Sequence, residues 1–179
     1  MKFIVVVMLL AMCSNSSAQD FVKGGNYVSV GYGVDAGGLP GNFSGLGLGP
    51  VSATYERGVT DIIGIGRIGA GGGIAFSHYS YKTNSAIWLE YKTNRITPFV
   101  RATYHFEFDI EKMDVYAGVG VGVNIDSERQ KSNGVSSTKA LPAHLIVAGI
   151  RYYFSDFFGV YFEVGDGIAN VNGGIVLSF

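Results

Sequence analysis

Cysteine occurs once in this 179-residue chain, at position 13, and proline only four times. A lone cysteine excludes a disulfide framework. Charge is also scarce: 15% of residues are charged, the formal net charge is −1, and basic residues form no run. A pI near 6.3 gives no general attraction for phosphate, so a nucleic-acid partner is not expected. Beyond residue 18 no apolar stretch reaches the roughly 20 residues that a membrane-spanning helix needs. Disorder is excluded by what is present, 47% apolar and 13% aromatic residues. Glycine, at 27 residues, is well above ordinary usage yet follows no collagen period, so it needs a specific explanation.

The first eighteen residues have the layout of an export signal. Lys2 supplies the positive start, Phe3 to Met12 the apolar run, and Ser16-Ser17-Ala18 the small-residue cleavage site. Cleavage after Ala18 removes Cys13 and leaves residues 19–179 as one domain. A lipoprotein signal would need a small residue where Met12 stands.

The period in the remaining chain is two, not 3.6. From Arg95 to Phe108, Ile96, Pro98, Val100, Ala102, Tyr104 and Phe106 share one face, while Arg95, Arg101, His105 and Glu107 share the other. From Met113 to Asp126, Val115, Val119, Val121 and Val123 oppose Asp114, Tyr116, Gly118, Gly120 and Gly122. The same reading finds Tyr27 to Val34, Val51 to Arg57, Ile62 to about Tyr81, Leu141 to Phe154, Phe157 to Gly165 and Ala169 to Phe179. The sum is eight strands. A weakly alternating stretch, Ser85 to Tyr91 with Trp88, would allow ten, but a hairpin near Lys82-Thr83-Asn84 explains it better.

A soluble barrel would bury the apolar face, whereas a membrane barrel turns it to lipid and keeps the polar face inside. Connection lengths favour the membrane barrel. Gly58 to Asp61, Asp109 to Lys112 and Ser155-Asp156 are short, and they alternate with longer segments at Asp35 to Pro50, Lys82 to Asn94 and Ser127 to Thr138. Short turns on one side and longer loops on the other place both mature termini on the short-turn, periplasmic side. Tyr55, Phe106, Phe108, Tyr152, Phe154, Phe158 and Phe179 all point outward at that end, as an interfacial girdle would.

The segment Asn172 to Phe179 resembles the assembly signal of bacterial outer-membrane barrels, with Asn172, Gly174, Leu177 and Phe179 filling its four positions. Over the whole mature chain the sequence resembles small outer-membrane β-barrel proteins of the OmpA/OmpX kind, most closely the glycine-rich barrels of Bacteroidota-type envelopes. The resemblance implies an eight-stranded antiparallel up-and-down barrel in the outer membrane of a Gram-negative cell. It also implies contact with lipid and lipopolysaccharide, and help from periplasmic chaperones and the barrel-insertion machinery. It names no activity, and we expect a monomer.

An eight-stranded barrel has an interior that side chains can fill, so a closed lumen is expected, with a narrow pore for small solutes as the alternative. Glu56, Arg67, Arg101, Glu107, Asp114, Arg151 and Glu163 all fall on the inward face and should pair there, because isolated buried ions are heavily penalised. His105 should join them. Inward glycines at 69, 71, 73, 118, 120 and 122 would make room for large side chains across the lumen. Gly118-Val119-Gly120-Val121-Gly122 precedes no helix, so it is not a phosphate loop.

One arrangement suggests catalysis. His78 and Ser80 share an outward face, with Glu90 on the facing segment, and this resembles the histidine and serine, two apart, of the lipid A deacylases. Ser80 would be the nucleophile, His78 the base and Glu90 its orienting carboxylate. That class carries its pair on a later strand, however, and the stronger expectation is a structural or envelope-interaction protein without enzymatic activity. His144 lies outward near a loop-side strand end. No cofactor is indicated, and no two histidines have metal-ligand spacing. The outer loops could serve adhesion, but nothing in them names a ligand.

Overall fold

The computed structural model describes residues 21–34, 48–83, 89–108, 110–130 and 136–179, without the side chains of 48, 80–83, 89–91 and 130. The leader, most of the first long connection and Trp88 lie outside these residues. Eight strands close into one antiparallel barrel in chain order: β1 (Asn26–Val34), β2 (Leu48–Gly58), β3 (Gly66–Thr83), β4 (Leu89–Phe106), β5 (Met113–Gln130), β6 (Ser136–Ser155), β7 (Phe158–Asp166) and β8 (Val171–Ser178). β8 returns to β1 through a ladder from Tyr27 opposite Ser178 to Val34 opposite Val171. No sheet edge is left at the seam.

Burial runs opposite to that of a soluble protein. Glu56 and Arg151 are each only 1% exposed, whereas Val119 and Val121 are 61% and 64% exposed. The apolar faces read from the sequence are therefore the outside of the barrel, and the polar faces its core. Along β4, Ile96 to Phe106 spans ten residue steps, roughly 33 Å of strand, or about 25 Å once a tilt near 40° is applied. Pro98 on this outward face has no N–H to give, and the β4–β5 ladder lapses beside it between the Ile96–Ile125 and Phe99–Gly122 pairs.

Two expectations are corrected. β3 starts at Gly66 rather than Ile62, because Gly64 takes a left-handed backbone (φ 70°) and turns the chain between the bridged pair Ile63 and Gly66. Tyr104 Oη holds that turn from outside, donating to the Ile63 carbonyl at 2.5 Å and accepting from Ile65 N–H at 3.2 Å. Second, the connection after β5 is partly ladder, with Arg129 opposite Ser136 well beyond the apolar band; β3 and β4 also continue past the band, as the hairpin near Lys82-Thr83-Asn84 implies, with Tyr81 opposite Tyr91. Strands whose two faces both meet water carry no apolar alternation, so the sequence shows them only faintly. β3 to β6 have 18 to 20 residues while β1, β2, β7 and β8 have 8 to 11, so the barrel is extended on one side.

The outward rings Tyr55, Phe106, Phe108, Tyr152, Phe154 and Phe179 are gathered at the short-turn end, as expected. Tyr32 and Phe76 face outward at the other end. Below the strands, residues 21–25 fold under the barrel. Gly24 N–H donates to Gly58 O at 2.8 Å and Gly58 N–H to Gly25 O at 3.0 Å, which adds the segment to the end of β2.

Candidate functional site in the polar lumen

Inward positions on five strands converge on Glu56. Arg151 Nη2 of β6 donates to its Oε2 at 2.5 Å, and Arg101 Nη2 of β4 donates to the same oxygen at 3.2 Å. The other oxygen, Oε1, accepts from Thr103 and meets His105 Nε2 at 2.8 Å. Outward from this centre, Arg101 Nη1 donates to Glu163 Oε1 of β7 at 2.7 Å, and Tyr116 Oη donates to that oxygen at 2.7 Å as well. On the other side, Asp114 Oδ1 meets His105 Nδ1 at 2.8 Å, while its Oδ2 accepts from Arg151 Nη1 at 3.4 Å. Three carboxylates thus face two guanidiniums and an imidazole, with every charge held by an opposite one. That is the arrangement under which buried ions are tolerated.

Aromatic rings fill the space around the cluster. The Arg151 guanidinium lies 4.6 Å from the Tyr116 ring centre and 5.4 Å from that of Tyr27, within cation–π range. Phe21 stacks on His105 with ring centres 3.4 Å apart and on Tyr27 at 4.7 Å, so the segment before β1 plugs the short-turn end. Tyr27 Oη in turn accepts from Val22 N–H at 2.9 Å. Arg67, at the same mouth, donates to the Phe21 carbonyl and pairs with Glu107 at 3.2 Å. Inward glycine makes this packing possible. A Cβ at Gly149 would lie 2.7 Å from Tyr116 Cζ and 2.9 Å from Glu163 Cγ, which no real side chain could accept without a shift.

All seven charged residues assigned to the lumen are found there, in two groups. Glu56, Arg101, Asp114, Arg151 and Glu163 form the central cluster with His105, and Arg67 with Glu107 forms a separate pair at the mouth. Sequence parity also set Arg95 and Asp126 inward without assigning them a role. They form a bidentate pair (2.7 and 2.9 Å) beyond the other end of the lumen, with the Tyr79 ring 5.8 Å from the guanidinium. Phe21 was missed altogether, since it precedes the first alternating segment. Two voids of about 20 Å³ flank the cluster, one against Phe21, His105 and Asp114, the other against Arg101, Glu163 and Asn172. Each is large enough for about one water.

His78 Nδ1 meets Asn94 Oδ1 at 2.6 Å. The backbone register sets Ser80 opposite Lys92 and Glu90 opposite Lys82, on the extended part of β3 and β4; the side chains of Ser80 and Glu90 are outside the described ones. His144 is exposed and pairs with Asp166 at 3.0 Å. Among the described residues no group of three His, Cys, Asp or Glu side chains is placed to hold a metal ion. In β8, Asn172 points inward and donates to Ser52 Oγ and Tyr161 Oη at 3.2 Å, while Leu177 and Phe179 face outward.

Fold and lumen together define a class: a closed eight-stranded antiparallel barrel with a charged, packed interior and an apolar exterior. By sequence the chain matches no family profile and no curated relative. Among solved structures it is similar to the N-terminal β-barrel domain of Pseudomonas aeruginosa OprF, with a TM-score of 0.51 and 13% identity over 88% of this chain and 98% of that one. It is also similar to Ail, the attachment invasion locus protein of Yersinia pestis, with a TM-score of 0.48 and 15% identity over 88% of this chain and 97% of that one. What the OprF likeness shows is the fold, the all-β barrel of small outer-membrane proteins.

Proposed function

We propose that this chain is an integral protein of a bacterial outer membrane, with a closed lumen and a structural or surface-interacting role rather than a catalytic one. The observation that carries this reading is the inverted burial. An apolar band about 25 Å tall matches the hydrocarbon that such barrels cross, and in water it would expose a continuous greasy belt. We read the aromatic girdle at the short-turn end as one interface and take that side, with both mature termini, as the periplasmic one. We read the inward glycines as the glycine-rich Bacteroidota type, and Asn172, Gly174, Leu177 and Phe179 as the segment that the insertion machinery engages after chaperone escort. The charge cluster supports a closed interior, because Arg101 and Arg151 cross the lumen to reach Glu56 and Glu163.

Refolding of the full chain into lipid vesicles tests the location. The expected result is a protease-resistant barrel whose gel mobility changes on boiling; a chain that stays water-soluble and sensitive to protease refutes it. Planar-bilayer recording tests the closed lumen, and a large stable conductance would overturn it. Mass spectrometry of lipid A from cells with and without the protein tests the absence of catalysis, since a deacylase would remove an acyl chain.

A further inference from the structure

One short turn has the wrong chemistry for water. Between β2 and β3 the chain runs Val59-Thr60-Asp61-Ile62-Ile63-Gly64-Ile65, whereas the other two short turns carry Glu111 with Lys112 and Ser155 with Asp156. Ile62, Ile63 and Ile65 are 56%, 51% and 65% exposed, in the kind of segment that polar residues ordinarily fill. A single exposed apolar residue needs no explanation, but three within four positions form a patch.

The position of the turn says what covers that patch. An isolated bridge sets Ile63 beside Gly66, and Gly66 stands opposite Phe106 of the ring girdle, so the turn lies at the level of the girdle and not below it. Tyr104, on the outward face of β4 with its ring 5.1 Å from that of Phe106, uses its hydroxyl on this turn, donating to Ile63 O and accepting from Ile65 N–H. Gly66 permits the reach, since a Cβ there would lie 2.7 Å from Tyr104 Cε1. A tyrosine on a lipid-facing wall ordinarily turns its hydroxyl to headgroups or water. Here the turn occupies that place. Its polar groups gather at the other end, where Thr60 Oγ1 accepts from Ile68 N–H at 2.9 Å and Asp61 pairs with Lys23 of the segment under the barrel. The turn is therefore an amphipathic tongue, with charge beneath the barrel and isoleucine beside the girdle.

We propose that residues 59–65 enter the periplasmic leaflet and bury Ile62, Ile63 and Ile65 at the boundary between phospholipid headgroups and acyl chains. The partner is the bilayer surface, met by a turn rather than by the barrel wall, which departs from the pattern of short turns standing in periplasmic water. The inference rests on the membrane location proposed above. Amphipathic elements at an interface sink about 5–10 Å into the headgroup–acyl boundary. A tongue on one flank would fix the depth of the barrel there and leave the opposite flank free.

The test uses the full chain refolded in phosphatidylcholine vesicles, with Trp88, the single tryptophan, changed to phenylalanine. In that background Ile63→Trp and Ile65→Trp each place a probe on the tongue, and Asp156→Trp places one in a polar short turn; gel mobility confirms folding of each, and either tongue variant suffices. Phosphatidylcholine brominated on the acyl chain near the glycerol should remove roughly half of the emission of the tongue variants. Iodide on both sides of the membrane should leave them almost unchanged, and D156W should behave in the opposite way. Quenching of the tongue variants by iodide but not by bromine, or equal bromine quenching of D156W, would overturn the proposal. Protection from both quenchers would also overturn it, because a second copy of the chain would then cover the patch. Failure of the W88F chain to enter the vesicles would instead overturn the membrane location.

Discussion

Replacing Glu56 by glutamine changes almost no volume and removes one charge from the centre of the lumen. The carboxylate takes contacts from Arg151, Arg101, Thr103 and His105. An amide has one accepting oxygen; turned to the two guanidiniums, it leaves its NH₂ toward Thr103 and His105, and in either orientation the negative charge that offset Arg151 and Arg101 is gone. As carboxylate partners, Arg151, 1% exposed, would keep only Asp114 at a long 3.4 Å, and Arg101 only Glu163. Removing one partner of a buried pair costs about 3–5 kcal/mol, because the other charge stays out of water. That lowers the folded-to-unfolded ratio by roughly two to four powers of ten. Urea unfolding in vesicles, followed by gel mobility and far-UV circular dichroism, measures it. Truncating the exposed pair Lys23–Asp61 (2.6 Å) provides the comparison, with little or no loss expected for a pair so open to water. A loss below about 1 kcal/mol for E56Q would refute the view that the lumen is dry enough for these charges to depend on one another.

Other outcomes follow from single contacts. Gly149→Ala should destabilise by about 1–3 kcal/mol through collision with Tyr116, whereas Gly173→Ala, whose Cβ would find its nearest atom at 3.4 Å, should be neutral; equal effects in urea unfolding would refute the packing argument. Phe21→Ala should release residues 21–25 and speed amide exchange at Gly24 and Gly58 roughly a hundredfold, in line with the loss of a buried phenylalanine; unchanged exchange would show that the plug is held by its backbone alone. Lys23 holds the Asp61 carboxyl below the ordinary carboxylate range by a hydrogen bond and its charge. The stabilisation from that pair is therefore full above the ordinary range and lost as pH falls through it. Carbon-detected NMR should show the Asp61 midpoint return to the ordinary range in Lys23→Ala, and lack of movement would assign the shift elsewhere.

The membrane-facing half of each strand was legible because lipid and lumen impose opposite demands on alternate residues. Val115 to Val123 against Asp114 to Gly122 states that contrast in ten residues, and the ladder follows it. Charge was legible for the same reason: an arginine in the middle of such a pattern has only the lumen to enter. Four features were not. Ile62 continues the apolar parity of β3 but belongs to a turn, since a left-handed Gly64 cannot be told from a strand glycine by pattern. The extension of β5 and β6 lacks an apolar face, so Gln130 and Ser136 read as loop. Phe21 stands outside any periodic segment, and only its contacts reveal that it is part of the core. Partner choice within the lumen, Arg151 with Glu56 or Arg101 with Glu163, depends on the height of each strand in the ladder, which parity does not specify.

The central cluster draws on β2, β4, β5, β6 and β7, and its longest link joins residues 95 apart in the chain. Asp114 meets His105 and Arg151 on its two neighbouring strands, but the rest of the cluster has no partner within a hairpin: Glu56 finds none on β3, Glu163 reaches across to Arg101, and Arg151 needs β2 as well as its neighbour β5. An insertion pathway that placed hairpins one at a time in hydrocarbon would strand each of these ions in turn. The charges can be satisfied together only when the sheet curls so that opposite walls meet, which makes closing the circle and neutralising the interior a single event. A half-built barrel is then electrostatically disfavoured as well as open-edged, and the protein should pass from unassembled to assembled without a stable form between.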